Sequence, residues 1–212
     1  SSATTMNIMF DGATSFDGNI TNWDLSNVNT TEAMFRNAQS FDQDISGWNT
    51  SSVNNIKEMF KNADTFNQDI GGWDISNVNS LLSVFNGADK FNQDLSNWNT
   101  LGVNNMNSTF KDSGFNHDIS NWNTSSVETF HRMFEGASTF NQNLNSWDTG
   151  SAINMDGMFY RASDFDGDIS SWDVSKVTNM KNLFLRAFSF NQDIGGWDIS
   201  SVDSMDRMFE DA

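Results

Sequence analysis

Tryptophan stands at positions 23, 48, 73, 98, 122, 147, 172 and 197 of this chain, so successive tryptophans are 25 residues apart except for one step of 24. A fixed period of roughly 20–50 residues marks a repeat array, and it constrains the fold before any local reading does. Aligned on Trp, the unit reads F-[DN]-x-[DN]-[IL]-x-x-W-[DN]-x-S-x-V-x-x-M-x-x-M-F-x-x-A. The short step falls between Phe110 and Phe115, where most units have one residue more, as from Phe85 to Phe91. A deletion tolerated there points to a connection between elements.

Two periodicities share each unit. After Val78 the apolar positions Leu81, Val84, Phe85 and Ala88 come at steps of 3, 3, 1 and 3, which is one face of a short helix. Trp73, Asp74, Ile75 and Ser76 alternate apolar and polar, which is the pattern of a short strand. Gly12, Asn37, Asn62, Gly87 and Gly136 stand two residues after the Phe of that run. Gly and Asn accept the left-handed conformation that ends a helix. Asn55 and Glu58 have the spacing of a capping box.

The expected fold is therefore an α/β repeat: a leucine-rich-repeat-like solenoid of about eight coils, with one short parallel strand and one short helix per 25-residue coil. No single unit can bury its own Trp, Phe and Met, so stacking must do so. Residues 1–212 are expected to form one solenoid domain. The chain opens inside the motif with helical spacing (Met6, Met9, Phe10) and ends at the same phase of the unit (Met208, Phe209, Ala212). That is expected of a segment from a longer array. Coils about 4.8 Å apart would make a rod roughly 40 Å long.

The segment Ile70-x-x-Trp73-x-Ile75 has the L-x-x-L-x-L spacing of leucine-rich repeats. The adjoining Val-x-x-Met-x-x-Met-Phe-x-x-Ala run resembles that of the treponemal, BspA-like class. The fuller strings FNQDIGGWDISNV at 66–78 and MFKNA at 59–63 resemble the BspA-like surface-protein repeat, DUF285, first noted in mycoplasma lipoproteins. The resemblance covers nearly the whole chain. It implies a curved parallel solenoid on a secreted or surface-anchored protein, a link to adhesion, and no catalytic residues. Leu101 in place of Ser, Gly150 and Ala152 in one turn, and Thr109 in place of Met depart from the pattern. Those units are expected to pack less well. Trp-Asp pairs also occur in WD40 propellers, but a blade of four strands needs roughly 40–45 residues.

The chain has 28 acidic and 11 basic side chains, for a net charge of −17. Nucleic acid and anionic membranes both require a basic face, so neither is expected as a partner. With no cysteine there is no disulfide framework and no thiol chemistry. No apolar run is long enough to span a membrane. The charge is not spread evenly. The eleven-residue windows that start at 16, 41, 66, 91, 115, 140, 165 and 190 contain 14 Asp and no Glu, Lys or Arg. The remaining residues contain 14 acidic and 11 basic groups, close to balance.

Those Asp residues lie in three columns whose every position is Asp or Asn. The first comes directly after Phe: Asp17, Asp42, Asn67, Asn92, Asn116, Asn141, Asp166 and Asn191. The second lies two further on: Asn19, Asp44, Asp69, Asp94, Asp118, Asn143, Asp168 and Asp193. The third comes directly after Trp: Asp24, Asn49, Asp74, Asn99, Asn123, Asp148, Asp173 and Asp198. Stacked like charges disfavour joint ionisation unless something compensates them.

Three roles compete for the columns. Asp and Asn accept backbone hydrogen bonds in Asx turns, and free exchange between the two fits that role. Carboxylate and amide oxygens also suit Ca²⁺. In an extended stretch residues i and i+2 project to one side. Asp42, Asp44, Asn67, Asp69, Asn92, Asp94, Asn116, Asp118, Asp166, Asp168, Asn191 and Asp193 would then hold Ca²⁺ between coils. The third role is partner binding. Trp and the residue two later would point inward and the residue after Trp outward. That makes the third column a polar strip for a cell-surface protein or glycan.

The Trp and Phe columns keep a fixed phase with Ile, Val and Met, which reads as core and not as an exposed aromatic track. Thr50, Thr100, Thr124 and Thr149 form a column broken by Leu25, Ile75, Val174 and Ile199, unlike the regular array that ice binding would need. His117 and His131 belong to no recurring His/Asp/Ser set, so a surface or turn role is expected for both. The expected function is a non-enzymatic, extracellular repeat scaffold or adhesin without a cofactor. The alternative is a calcium-stabilised solenoid.

Overall fold

A computed structural model describes residues 2–212. Each Trp unit closes one coil, and each coil lies against the next. Isolated parallel bridges join Thr5 to Thr30, Thr30 to Asn55, Ser80 to Asn105 and Asn105 to Thr129, and the column continues to Asn154, Asn179 and Ser204. Among the described residues these bridges are the only regular pairing, and no helix occurs. The expected α/β, leucine-rich-repeat-like architecture, with a helix and a strand in each coil, is therefore wrong for this chain.

The segment with helical spacing shows why. The N–H groups of Thr31, Ala33, Phe35 and Asn37 donate to the carbonyls of Asn55, Lys57, Met59 and Lys61 in the next coil. The N–H groups between them turn back within the coil, from Met34 to Thr31, Arg36 to Ala33 and Ala38 to Phe35. A helix would send every N–H to its own segment at i−4. Here half of them join neighbouring coils and half close i→i+3 turns. The third residue of the turn 31–34 is Ala33, at φ +52°, and that of the turn 35–38 is Asn37, at φ +59°. A positive φ at that position is the mark of a type II turn. The Gly and Asn positions are thus left-handed as expected, but inside a turn and not at a helix end.

The apolar spacing is ambiguous because turns closed at i+3 also return side chains to one side every three residues. An isolated helix of about eight residues is marginal in water. Stacked turns gain a cross-coil hydrogen bond at every second residue and a ring contact besides. Asn55 and Glu58 form no capping box. The Asn55 Oδ1 accepts the Lys57 N–H at 3.2 Å, while the Glu58 N–H donates to the Leu82 carbonyl.

The core is a set of aromatic ladders. Phe35, Phe60, Phe85, Phe110, Phe134, Phe159 and Phe184 stack at 5.6–5.8 Å with nearly parallel ring planes. Each also stacks on the next Phe of its coil, as Phe85 does on Phe91 at 3.9 Å. Trp48 and Trp73 lie 6.2 Å apart with their rings 7° from parallel.

The departures from the repeat have specific outcomes. Thr109 is fully buried, and its hydroxyl donates to the carbonyls of Leu81 and Met106 at 3.1 and 2.8 Å. Ala152 is fully buried as well, whereas Leu101 is 58% exposed. The missing residue between Phe110 and Phe115 interrupts a corner ladder in which Ser40, Thr65, Lys90, Asp164 and Ser189 each donate to a carbonyl of the preceding coil. A hollow of about 400 Å³ opens there, beside Asp89, Asp112, Gly114, Gly136 and Thr139.

Candidate binding face

The face begins with Trp. Each indole from Trp48 onward is buried, and its Nε1–H donates to a backbone carbonyl of the preceding coil at 2.9–3.3 Å. The acceptors are Ile20, Ile45, Ile70, Leu95, Ile119, Leu144 and Ile169. The anchored indole fixes the direction of the next two side chains. Two residues on, Leu25, Thr50, Ile75, Thr100, Thr124, Thr149 and Val174 are buried, whereas Ile199 in the last coil is 47% exposed. The buried Thr hydroxyls bond outside their own coil, as Thr100 does to the Asn123 carbonyl at 3.0 Å. The residue between points outward, and all eight members of the third column are exposed.

Each third-column side chain holds its own loop. Oδ1 of Asp24, Asn49, Asp74, Asn99, Asn123, Asp148, Asp173 and Asp198 accepts the N–H of the residue two later at 2.9–3.2 Å. The second column does the same at 2.8–3.1 Å, from Asn19 to Asp193. These are Asx turns, which need one acceptor oxygen and so accept Asp or Asn alike.

The first column differs. Its Oδ1 reaches across to the next coil and accepts the N–H of the next column member: Asp17 from Asp42, Asp42 from Asn67, and so on to Asp166 from Asn191, at 2.8–3.1 Å. The structure therefore does not turn Asp42 and Asp44, or their equivalents, toward a common point through these oxygens. One serves the next coil and the other its own turn. Among the described residues no three or more His, Asp or Glu side chains are grouped as metal ligands.

Two contributors are not evident from the repeat pattern. The Nε2 of Gln68, Gln93, Gln142 and Gln192 braces the first column, as Gln68 does on Asp42 at 2.9 Å. His117 takes the equivalent place, with Nε2 3.0 Å from the Asn92 carbonyl. The recurring Gln between the two Asx positions is the one signal for this brace in the sequence. The second contributor is a fourth column, Asn55, Asn105, Asn154 and Asn179, whose Oδ1 also accepts an N–H two residues on. His131 stands apart. Its Nδ1 is 3.3 Å from the Asn107 Oδ1, and burial holds its pKa below the usual value.

Asn67 tests the logic of the first column. It accepts the Asn92 N–H at 2.9 Å and Gln93 Nε2 at 3.0 Å. Asn67→Asp keeps the oxygen and should leave the denaturation midpoint nearly unchanged. Asn67→Leu removes the acceptor and should cost about 1–3 kcal/mol. Equal losses in the two variants would remove the ladder from the account.

Electrostatics explains how the carboxylates stack. The Ser26 hydroxyl, then its N–H, draws the Asp24 pKa down to about 2. Asp44, Asp74, Asp173 and Asp198 are lowered in the same way, first by a serine hydroxyl two residues on and then by that residue's N–H. For Asp94 and Asp168 the N–H leads and the hydroxyl comes second. Repulsion from Asp173 opposes the shift at Asp198 as its smallest cause. At Asp24, Asp44, Asp74, Asp94, Asp168, Asp173 and Asp198 hydrogen-bond donors thus supply the compensation that stacked negative charges need.

A folded-state pKa below the unfolded value gives stability that is present above the unfolded pKa and lost as pH falls through the folded one. The melting temperature should therefore drop as pH falls from about 4 toward 2, between the ordinary Asp value of 3.8 and that of Asp24. Asp112, whose pKa burial raises, acts in the opposite sense, but above the ordinary Asp value and so outside this window. Scanning calorimetry across that range is the check, and a flat profile would contradict the shifts.

Two hollows lie on this face. One of about 550 Å³ is lined by Asp118, Ser120, Gln142, Asn143, Asn145 and Ser146. The other, about 310 Å³, shares Ser120 and Ser146 and includes Trp122, Asn123 and Asp148.

A family model described as Mycoplasma protein of unknown function, DUF285, matches the chain three times, over residues 1–82, 68–162 and 142–212. No curated protein and no solved structure matches it.

Proposed function

The chain belongs to the DUF285 family, and from that premise we propose that it is a non-enzymatic repeat scaffold that binds a partner through its third-column strip. Asp24, Asn49, Asp74, Asn99, Asn123, Asp148, Asp173 and Asp198 form the strip. One observation carries the reading: an exposed Asp or Asn recurs in every coil, each pinned by an Asx turn, and from Asn49 onward each follows a buried, hydrogen-bonded Trp. A surface whose rotamers are already fixed loses little entropy on binding. A cell-surface protein or glycan is the proposed partner class, and the cell exterior is the proposed location. Both accord with the BspA-like resemblance. The acidity of the strip disfavours nucleic acid. No helix is long and apolar enough to cross a membrane among the described residues.

The test is a screen against cell-surface glycoproteins and glycans with the intact chain and with Asp148→Ala, Asp173→Ala and Asp198→Ala combined. The strip reading expects binding to weaken by about tenfold or more, corresponding to about 1.4 kcal/mol. The same three positions changed to Asn keep their turns and control for folding. Binding that survives the alanine changes would place the site elsewhere.

A further inference from the structure

The Asx hydrogen bonds use only one side-chain atom. Oδ1 meets a backbone N–H whether the residue is Asp or Asn. The second atom is Oδ2 in Asp, a charged acceptor, and Nδ2 in Asn, a donor. The choice between them hardly matters to the coil, but it sets what the face offers a ligand.

That choice is unevenly distributed. In the three central coils, built on Trp98, Trp122 and Trp147, six of the nine column positions are Asn: Asn92, Asn99, Asn116, Asn123, Asn141 and Asn143. In the other five coils only four of fifteen are Asn. Both hollows of the face lie in this same central stretch, joined through Ser120 and Ser146. The least charged part of the face is also the part with a groove.

We propose that this central groove binds a neutral oligosaccharide. The inference rests on the strip as the binding face and names its ligand class. Sugar hydroxyls donate and accept hydrogen bonds, whereas a carboxylate row can only accept. The amide arms of Asn123 and Asn143, with Ser120 and the carboxylates of Asp118 and Asp148, supply both kinds of partner. Leu101, 58% exposed, lies outside the lining and holds the position of Ser125 one coil earlier. The flanking coils select against charge. Asp166, Asp168 and Asp173 on one side, and Asp69 and Asp74 on the other, repel sialylated or sulfated chains.

The experiment is titration calorimetry of the intact chain with chitotetraose, maltotetraose and mannotetraose, and with sialyllactose and a heparin tetrasaccharide as acidic counterparts. At least one neutral probe should bind saturably with a Kd below about 5 mM, and the acidic probes should bind at least about tenfold more weakly. The double variant Asn123→Asp/Asn143→Asp keeps both Oδ1 turns and should melt like the parent. It should nonetheless lose about tenfold or more in affinity for that probe. Asp44→Asn, outside the groove, should bind like the parent. Three outcomes overturn the inference: no neutral probe binds, the double variant binds equally well, or acidic probes bind as tightly as neutral ones. If neutral probes fail while a surface protein still binds through Asp148, Asp173 and Asp198, the strip stands and the glycan inference alone falls.

Discussion

Phe85→Ala should cost about 3–5 kcal/mol, the largest loss expected of any single side-chain truncation here. Phe85 is fully buried. Its ring stacks on Phe60 at 5.8 Å, on Phe110 at 5.6 Å and on Phe91 at 3.9 Å, and tilts against Trp98 at 5.9 Å. The cavity cannot collapse easily. The Phe85 N–H is bonded to the Thr109 carbonyl on one side, and the Phe60 N–H to the Val84 carbonyl on the other. The backbone is therefore held at its spacing while the ring is lost. Phe10→Ala, at the half-buried start of the ladder, should cost clearly less. Denaturant titration of the two variants gives the comparison. In a stack that contacts only nearest neighbours, loss at one coil weakens both of its interfaces. Hydrogen-exchange protection should accordingly fall first around residues 80–111. Equal costs at Phe10 and Phe85 would mean that ladder position is irrelevant.

Gly167→Ala should destabilise by about 1–3 kcal/mol through overpacking. A Cβ at Gly167 would run into the backbone carbonyl oxygen of Gln142 in the preceding coil, with the Phe165 ring 3.0 Å away. A side chain can move aside, but that carbonyl belongs to the coil itself. The repeat pattern alone suggests the opposite result. Equivalent positions carry Gln68, Gln93, Gln142 and Gln192, so Gly167→Gln looks like a return to the consensus. The structure expects Gln to be tolerated no better than Ala. Thermal melts of both variants decide between the two views, and a gain in stability for Gln would favour the consensus.

The same contrast runs through the fold. The tryptophan period sets the register, and bonds between residues 24 to 28 apart run along the whole stack. The inward and outward sides around Trp are legible from alternation, as at buried Thr100 beside exposed Asn99. Interchange of Asp and Asn points to Asx turns, and the second and third columns make them. The destination of the backbone N–H groups is not legible. Val-x-x-Met-x-x-Met-Phe-x-x-Ala satisfies a helix and a chain of i→i+3 turns equally well, because both bring every third or fourth residue to one side. The first column is obscure for a related reason. Its Oδ1 reaches a coil one repeat away, and no local spacing distinguishes that from a turn or from a pair of ligands.

By itself the sequence determined that the chain repeats, which residues make its core, and which face carries the charge. Periodicity and hydrophobic burial act on composition and spacing alone, and both are written there. The tertiary structure decided that the coils contain turns in place of helices, because half the backbone donors find their acceptors in the next coil. It also gathered Asn123, Asn143, Ser120 and Ser146 around one groove. That arrangement depends on how neighbouring coils lie on one another, a relation between segments that no single unit contains.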